Sequence, residues 1–492
     1  MRTIMAIIGA VSIAGDSAAL PPPEQLLEMK MKTQMLTQTT GTITGEGVCW
    51  HASWRASDFV SGARQTGDPA YLKAGIAYFD ALIAKLHTSP DGYRGWVGPY
   101  IYDESVYGDV HVGDAILVNH MLALAEFVRA ELPEEQRERL APKAREYIDL
   151  AEQICAKWQA RGTWLEDGHY GGYVAWNRFL LPDQLDTFQE RADIRNSGLS
   201  LPFNKQQSMG IVHLRLHRLT GDREHRRKAI LIFSYAKSRL SRFDDHYTWS
   251  YWEPFYPQDV QSVEPAELKH WVGTHPYRDY QAGEVGEFVE AYHSGIVFDK
   301  QDMQRLVRTN LRMWNGDRAE PKWSNSDVAA NQGAVPGFER KVPEGDHFTR
   351  LAGTLWRSLA EFDPTLAELA GTTAANTAFA RRHDLPIAEF AWPIPRVAYL
   401  NMACVLPAAV DQGATAYLVS KSRVPGDLRI LLIDASGERE LKELYAGQTP
   451  GGLDGREGLL IREWTAAVDP GPYRVRWIHG DEHRDYLITV KD

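Results

Sequence analysis

Cysteine is scarce in this 492-residue chain, which has only Cys49, Cys155 and Cys404. Their odd number and wide spacing exclude a disulfide framework and a zinc-ribbon motif. We therefore expect buried thiols, and one bridge stays open as an alternative in an oxidising compartment.

Positive charge is also in short supply. The chain has 54 Lys and Arg residues against 65 Asp and Glu residues, and its formal net charge at pH 7 is −11. Nucleic-acid binding and a polybasic membrane-surface role both need a basic patch, so the composition argues against these partners. A small anionic substrate is compatible, provided that Arg, His and helix N-termini gather around it.

Several catalytic signatures are missing. There is no HExxH, no Walker loop, no GxGxxG after a strand and no GxSxG. His213 and His217 stand at metal-ligand spacing on a helix, but the flanking Arg215 and Arg218 disfavour a cation and favour a polar helix face. We expect neither a metal site nor a cofactor.

The N-terminus has the pattern of a signal peptide. Arg2 supplies positive charge, Ile4–Ala14 is mostly apolar, and Ser17-Ala18-Ala19 provides small residues for cleavage. The apolar stretch is too short to span a bilayer and no cysteine follows it, so no membrane anchor is expected. Residues 1–19 predict export to the periplasm or the extracellular space, with a buried first strand as the alternative.

Aromatic side chains are in surplus, at 11% of residues with 15 Trp and 21 Tyr. Two interpretations stay open: a Trp-rich helical core, or aromatic faces that stack on sugar rings.

A repeated phrase organises the helical part of the chain. Thr66–Tyr71 (TGDPAY) is echoed by Thr220–His225 (TGDREH). In each copy the Gly ends one helix and the Asp caps the next, so the phrase predicts a tight joint between paired helices. Apolar residues at steps of three and four follow both joints.

Further helix pairs are predicted at 113–131 with 134–158 and at 281–293 with 302–314, and another begins at 347–362. Long segments predicted to be irregular interrupt them at 89–112, 161–203, 244–280 and 315–346. Helical hairpins that repeat in so long a chain predict a stack or a ring. Because the loops carry many Trp, Tyr, Asn and His residues, we expect a mainly α protein, an (α/α) toroid of six or seven pairs with a functional face.

The hydrophobic period changes to two near Pro395, as in Leu428, Ile430 and Leu432. This predicts a small immunoglobulin-like β-sandwich at the C-terminus. The predicted organisation is a signal peptide at 1–19, a catalytic toroid at 20–394 and a sandwich without catalytic groups at 395–492.

The short joints also constrain the site. If each joint links an inner helix to its outer partner, the long loops lie at the opposite end and lead into the N-termini of the inner helices. These N-termini carry partial positive charge and free N–H groups, which suit carboxylates. The candidates at these helix starts or in the longest loops are His111, Asn204, Gln207, Asn177, Arg178, Tyr247, Trp252 and the run His275–Gln281.

The chain resembles the polysaccharide lyases built on an (α/α) toroid, in particular the glucuronan and alginate lyases with a seven-pair ring. The resemblance rests on Asp91–Pro99, on Gly113-Asp114 at the start of an inner helix, and on His275–Gln281. It covers roughly the first four-fifths of the chain. It implies a secreted enzyme that cleaves an acidic polysaccharide or oligosaccharide by β-elimination.

β-Elimination removes a weakly acidic proton, so it needs a base, an acid and groups that neutralise the uronate. The resemblance implies Tyr280 as base, helped by Arg278 because a free Tyr titrates only near ~10. His111 and Asn204 are the candidate neutralisers, although Asn204 could instead cap its helix. Tyr247 and Tyr277 are rival candidates for the base. The predicted substrate contacts are Asn177, Arg178, Gln207, Tyr247, Trp252, His275 and Tyr277.

Two other functions stay open. A glycoside hydrolase on the same toroid needs two carboxylates about 5–10 Å apart, and the candidates are Asp103, Glu104, Asp109, Asp114, Glu253 and Asp279. A non-catalytic glycan-binding protein would bind the polymer without changing its length. A toroid sugar epimerase is disfavoured by the signal peptide.

Overall fold

The computed structural model describes residues 20–32, 41–194, 196–242, 245–249, 252–261, 263, 266–269, 272, 281–313, 355–369, 400–422, 424–451 and 458–492. The predicted signal peptide and the predicted boundary at 394/395 lie outside these residues. The chain forms two compact units. One holds the described residues up to Trp164 with Tyr173–Leu199 and Lys205–Ala229, and the other holds Leu165–Gly172, Ser200–Asn204 and the described residues of Ile230–Asp492.

Helices dominate the described residues before position 370. They are α1 (Pro23–Met31), α2 (Glu46–Ser53), α3 (Asp58–Thr66), α4 (Ala70–Ile83), α5 (His111–Glu131), α6 (Glu134–Ala160), α7 (Phe203–Thr220), α8 (Arg223–Ser238), α9 (Gln281–His293), α10 (Lys300–Met313) and α11 (Pro364–Leu369). None of the helices in the described part of the chain is long and apolar enough to cross a membrane.

The repeated phrase forms the same joint twice. Between α3 and α4, Gly67 takes a left-handed conformation with φ 71° and its N–H donates to Ala63 O at 2.9 Å. The Asp68 carboxylate then accepts the N–H of Ala70 at 2.8 Å. This confirms the predicted helix end and cap.

The joint between α7 and α8 has matching bonds. Gly221 has φ 81° and its N–H donates to His217 O at 2.7 Å. Asp222 accepts the N–H of Glu224 at 2.7 Å. The recurrence of these contacts explains why the sequence repeats a Gly-Asp pair at both places.

The predicted helix pairs agree with the structure to within about one helical turn. The hairpin α5–α6 covers the predicted 113–131 and 134–158, and α9–α10 covers the predicted 281–293 and the described residues of the predicted 302–314. The helix predicted at 347–362 is wrong in its described part, where a 3₁₀ turn at Arg357–Leu359 precedes α11.

Short strands lie within or next to the described parts of the segments predicted to be irregular, and the prediction is wrong at the strands inside those segments. The strands are β1 (His87–Thr88), β2 (Arg94–Gly95), β3 (Gly98–Tyr100), β4 (Asp103–Gly108), β5 (Trp164–Glu166), β6 (Gly171–Tyr173), β7 (Arg178–Leu181), β8 (Gln184–Glu190), β9 (Ser241–Arg242), β10 (Tyr247–Thr248), β11 (Val260–Gln261) and β12 (Glu267–Leu268). A four-stranded sheet has the order β3-β4-β7-β8 and packs around Tyr100, Val106, Phe179 and Ile194. Strands of two to seven residues are too short to show a clear period of two.

The C-terminal residues form two sheets. Their strands are β13 (Leu400–Leu406), β14 (Ala409–Asp411), β15 (Thr415–Ser422), β16 (Gly426–Asp434), β17 (Glu440–Thr449), β18 (Leu459–Thr465), β19 (Gly471–His479) and β20 (Glu482–Lys491). One sheet has the order β13-β15-β18 and the other β14-β20-β19-β16-β17. Contacts of β13 with β19 and β20 join them.

Alternate residues of β20 are buried, including Tyr486, Ile488 and Val490, as a strand with one face in a core requires. The predicted fold class, mainly α with a C-terminal β-sandwich, is confirmed. Closure of the helix pairs into a ring stays a prediction.

The joints give a stability prediction. Gly221→Ala should lower the free energy of unfolding by about 1 kcal/mol, because an L side chain is strained at positive φ. Space is not the cause, since nothing lies within 4 Å of the added Cβ. Gly286→Ala is the matched control: it also has open space but lies inside α9, where Ala is favoured by about 1 kcal/mol. Urea unfolding of both variants measures the difference, and equal effects would contradict the assignment.

Candidate functional site

Three helices of the first unit, α2, α5 and α7, bring their first turns together. Glu46 of α2 forms an ion pair with Lys205 of α7, with Oε1 2.8 Å from Nζ. Helix α2 also packs closely on α5: a Cβ added at Gly113 would lie only 3.2 Å from the Cys49 sulfur. The N-terminal turns of α2, α5 and α7 therefore lie close together. That every inner-helix N-terminus lies on one face stays a prediction.

We call Glu46, His111, Asp114, Lys205 and Gln206 the helix-start cluster. Lys205 is the most accessible member, with its side chain 12% exposed, and the others are buried. Converging helix N-termini add partial positive charge. The position therefore suits carboxylates, whether they belong to the protein or to a bound molecule.

An ion-pair network surrounds Asp114. Lys157 Nζ lies 2.7 Å from Asp114 Oδ2 and 2.8 Å from Asp109 Oδ2. Arg161 bonds to Asp109 Oδ2 through Nη1 at 2.7 Å and to Asp91 Oδ2 through Nε at 2.8 Å. We call these five residues the Lys157 network. Because the side chains of Lys157, Asp109 and Asp114 are at most 1% exposed, their charges are balanced by one another and not by water.

The hairpin α5–α6 builds this network. Asp109 and Asp114 lie at the start of α5, while Lys157 and Arg161 lie at the end of the antiparallel α6. Anions at a helix N-terminus and cations at a C-terminus both interact favourably with the helix dipoles. The sequence therefore places each sign of charge where the backbone stabilises it.

The two buried aspartates titrate in opposite directions. Burial alone would raise the pKa of Asp109, but the charges of Lys157 and Arg161 outweigh it and hold that pKa below its usual range. Burial raises the pKa of Asp114 to about 7, with the charge of Asp109 adding to the effect and Lys157 opposing it. Enzymes that use acid–base catalysis often have two carboxyl groups whose pKa values are separated in this way.

His111 is buried at the start of α5. Its ring stacks on Trp158 with centroids 3.7 Å apart, and its Nε2 lies 2.9 Å from Thr163 Oγ1. Burial and then the charge of Lys157 lower its pKa well below the usual value. His111 can therefore hydrogen bond to a carboxylate but offers it no charge.

Two carboxyl groups of the helix-start cluster share an arrangement. Trp50 Nε1 donates to Glu46 Oε1 at 3.1 Å, and Trp158 Nε1 donates to Asp114 Oδ2 at 2.9 Å. The second oxygens, Glu46 Oε2 and Asp114 Oδ1, are buried and have no hydrogen-bond partner among the described residues. A buried acceptor left without a partner is costly, and functional sites are where such a cost is tolerated.

The second unit also has a first-turn carboxyl group that accepts an indole N–H, at the start of α9. Trp249 Nε1 donates to Glu284 Oε2 at 2.6 Å. Burial raises the pKa of Glu284 to about 8, against the effect of the Trp249 hydrogen bond. Glu284 is the fourth residue of its helix, as Asp114 is of α5.

The residues on which the lyase resemblance depends most lie outside the described residues. These are Tyr280, Arg278, His275 and Tyr277. Their predicted roles stay predictions.

Tyr247 and Trp252 lie in the packing of the second unit. The Tyr247 hydroxyl bonds to Asp302 Oδ1 at 2.6 Å, and burial raises its pKa. Trp252 Nε1 donates to Ser200 O at 2.8 Å, and its side chain is buried. Burial disfavours a phenolate at Tyr247, so its placement does not favour the predicted role of rival base.

Asn177 and Arg178 lie together at the start of β7. Asn177 Nδ2 donates to Glu190 Oε1 of β8 at 2.9 Å, while Arg178 is exposed. Asn204 and Gln207 are buried in the first turns of α7. The Asn204 side chain has no hydrogen-bond partner within the described part of the chain, so the alternative role of helix cap is wrong for it.

Sequence reasoning missed Glu46, Lys157 and Glu284 as site residues. Glu46 and Glu284 stand in first turns, where acidic residues are common as simple helix starts. Lys157 is separated from Asp109 by 48 residues, so no local pattern reveals the pair. Asp109 and Asp114 were given a catalytic role only as hydrolase candidates.

One group of described residues could hold a metal ion. Ligand atoms of Cys155, His213 and His225 all lie within 4.8 Å of one another. The Nδ1 of His213 lies 2.8 Å from the Nδ1 of His225. His217, which stands at ligand spacing from His213 in the sequence, instead has its Nδ1 2.8 Å from Asp222 O. The three cysteine thiols are free and buried, as predicted.

The Lys157 network gives a second stability prediction. Asp109→Asn should lower the free energy of unfolding by about 3–5 kcal/mol, because it leaves buried cations without their partner. Asp149→Asn is the control, since the Asp149–Arg145 pair at 2.7 Å is exposed and should contribute at most about 1 kcal/mol. Urea unfolding measures both. A loss for Asp109→Asn no larger than for the control would contradict the role of the network.

No family model matches the chain, and a search of curated proteins finds no match. Among solved structures, the GH76A α-1,6-mannanase of Salegentibacter sp. HEL1_6 is 16% identical with a TM-score of 0.31, covering 73% of this chain and 83% of that chain. An inactive variant of that mannanase bound to α-1,6-mannotriose is 15% identical with a TM-score of 0.32, at the same coverage. The alkylpurine DNA glycosylase AlkC of Pseudomonas fluorescens is 11% identical with a TM-score of 0.15, covering 96% and 97%. Scores this low do not establish a shared fold or activity.

Proposed function

We propose that the protein is a glycoside hydrolase that acts on an acidic glycan. The observation that supports this is the pair of first-turn carboxyl groups, Glu46 and Asp114. In each, one oxygen accepts an indole N–H and the other has no partner among the described residues. Glycosidases use two such groups, one to protonate the leaving oxygen and one to act as base or nucleophile.

The environments of the two carboxyl groups support different roles for them. Asp114 has a pKa raised to about 7, so near neutral pH it keeps a proton that it can give to a glycosidic oxygen. Glu46 is ion-paired with Lys205 and is the candidate base or nucleophile. Lys157 and Trp158 fix the Asp114 carboxyl by bonds to Oδ2, which leaves Oδ1 to serve as the acid.

The surroundings favour a charged sugar polymer. Lys205 and three helix N-termini supply positive charge at the helix-start cluster, which would attract a substrate carboxylate. The signal peptide predicted at 1–19 would place this activity outside the cytoplasm, and the C-terminal sandwich would contribute no catalytic group.

Substitution of the two carboxyl groups tests the proposal. Asp114→Asn and Glu46→Gln should each lower kcat by at least 10²-fold, the usual order for loss of acid–base catalysis. A screen of acidic glycans for new reducing ends provides the assay.

Glu126→Gln is the matched control, because Glu126 is also a buried, ion-paired carboxylate of α5, held by Arg218 at 2.6 Å. It should keep its kcat. A near-normal rate in Asp114→Asn would sink the proposal. Products with an unsaturated, ultraviolet-absorbing end would instead support the β-elimination implied by the resemblance, with Tyr280→Phe as the decisive variant.

The pH profile gives an independent prediction. The pKa of Asp114 is raised, so the group is protonated below about 7 and loses its proton above it. If Asp114 is the acid, kcat/KM should fall as the pH rises through about 7. The residual activity of Asp114→Asn should lack this alkaline limb. A wild-type profile that stays flat to pH 9 would rule out Asp114 as the acid.

A further inference from the structure

The end of α6 and the hairpin α7–α8 bring a thiol and two imidazoles together. Cys155 Sγ lies 4.0 Å from His213 Nδ1, and His213 Nδ1 lies 2.8 Å from His225 Nδ1. Cys155 and His213 are buried and His225 is half-buried. Three residues from three successive helices therefore point one ligand atom each at a common position.

We propose that Cys155, His213 and His225 bind a zinc ion. One thiolate and two imidazoles are a donor set that zinc prefers, in tetrahedral geometry with a fourth ligand such as water. At the usual bond lengths, tetrahedral zinc separates two nitrogens by roughly 3.4 Å and a nitrogen from a sulfur by roughly 3.6 Å. The observed N–N distance of 2.8 Å is shorter than the ideal one, and the observed S–N distance of 4.0 Å is longer. Shifts of less than about 1 Å would bring both distances to the ideal values.

The residues behind His213 support its role as a ligand. The Tyr173 hydroxyl lies 2.7 Å from His213 Nε2, which leaves Nδ1 for the metal. Gln206 holds Tyr173 in turn, because its side chain bonds to both the backbone N–H and the backbone C=O of Tyr173 at 2.7 Å. Metal-bound histidines are typically fixed through their second nitrogen in this way.

A cation lies close to the position: Lys228 of α8 donates to Gln159 Oε1 at 2.6 Å. A neighbouring cation favours the thiolate form of a cysteine, which is the form that binds a metal.

Titration of the full-length protein with Co²⁺, after treatment with a chelator, tests the site without any assay of activity. We expect one equivalent of Co²⁺ to bind, with visible bands of tetrahedral cobalt and a near-ultraviolet thiolate band, and Zn²⁺ to displace it. Cys155→Ser should lose the thiolate band, and His225→Gln should weaken binding at least 10-fold.

Two control variants carry the same kinds of side chain elsewhere. His217→Gln removes an imidazole one turn along α7, and Cys404→Ser removes a buried thiol of the β-sandwich; both should bind Co²⁺ as the wild type does. If Cys155→Ser does not fold, as judged by circular dichroism, the half-buried His225→Gln decides. A wild-type protein without the thiolate band, or a band that survives Cys155→Ser, would overturn the proposal.

Discussion

The buried ammonium of Lys157 is the contact on which the first unit depends. Its Nζ touches Asp109, Asp114 and the backbone oxygen of Arg94, so one group ties the end of α6 to the start of α5 and to β2. Taking this charge out of water is costly, and the two carboxyl groups, the Arg94 carbonyl oxygen and the Trp158 ring offset the cost. Helix α5 therefore cannot shift along α6 without exposing or unpairing a buried charge.

The charge balance of the Lys157 network explains the unusual acid beside it. The network has three carboxylates, Asp91, Asp109 and Asp114, against the two cations Lys157 and Arg161. Asp109 touches both cations and keeps its charge, while Asp91 is partly exposed and has water to help it. Asp114 shares Lys157 with Asp109 and is shielded from water, so burial raises its pKa and the charge of Asp109 adds to the effect. This raised pKa suits the acid role proposed for Asp114.

The fold was predictable where a local pattern determines it. The Thr-Gly-Asp phrase needs only a left-handed Gly and a capping Asp, so sequence alone located both joints, and the period of two located the C-terminal sheets. The short strands β1–β12 were missed because their pairing is decided by distant residues. The site was predictable only in part. His111 and Asp114 stand at a helix start, which is a local signal. The Lys157–Asp114 pair spans 43 residues of sequence and the Lys205–Glu46 pair spans 159, so no local pattern reveals either pair. The pair of His213 and His225 was missed for the same reason. His213 contacts His225 on the next helix and not His217, four residues along its own helix.

The helix-start cluster and the proposed zinc position share a support. Gln206 belongs to the cluster and clamps the backbone of Tyr173, whose hydroxyl bonds to His213. The Tyr173 ring in turn lies 5.2 Å from that of His111. A metal ion that fixes His213 would restrict Tyr173, and through it the first turn of α7 where Lys205 pairs with Glu46. A carboxyl group acts as acid or base only when it is held in one orientation. Packing through Gln206 and Tyr173 therefore links the two proposed sites.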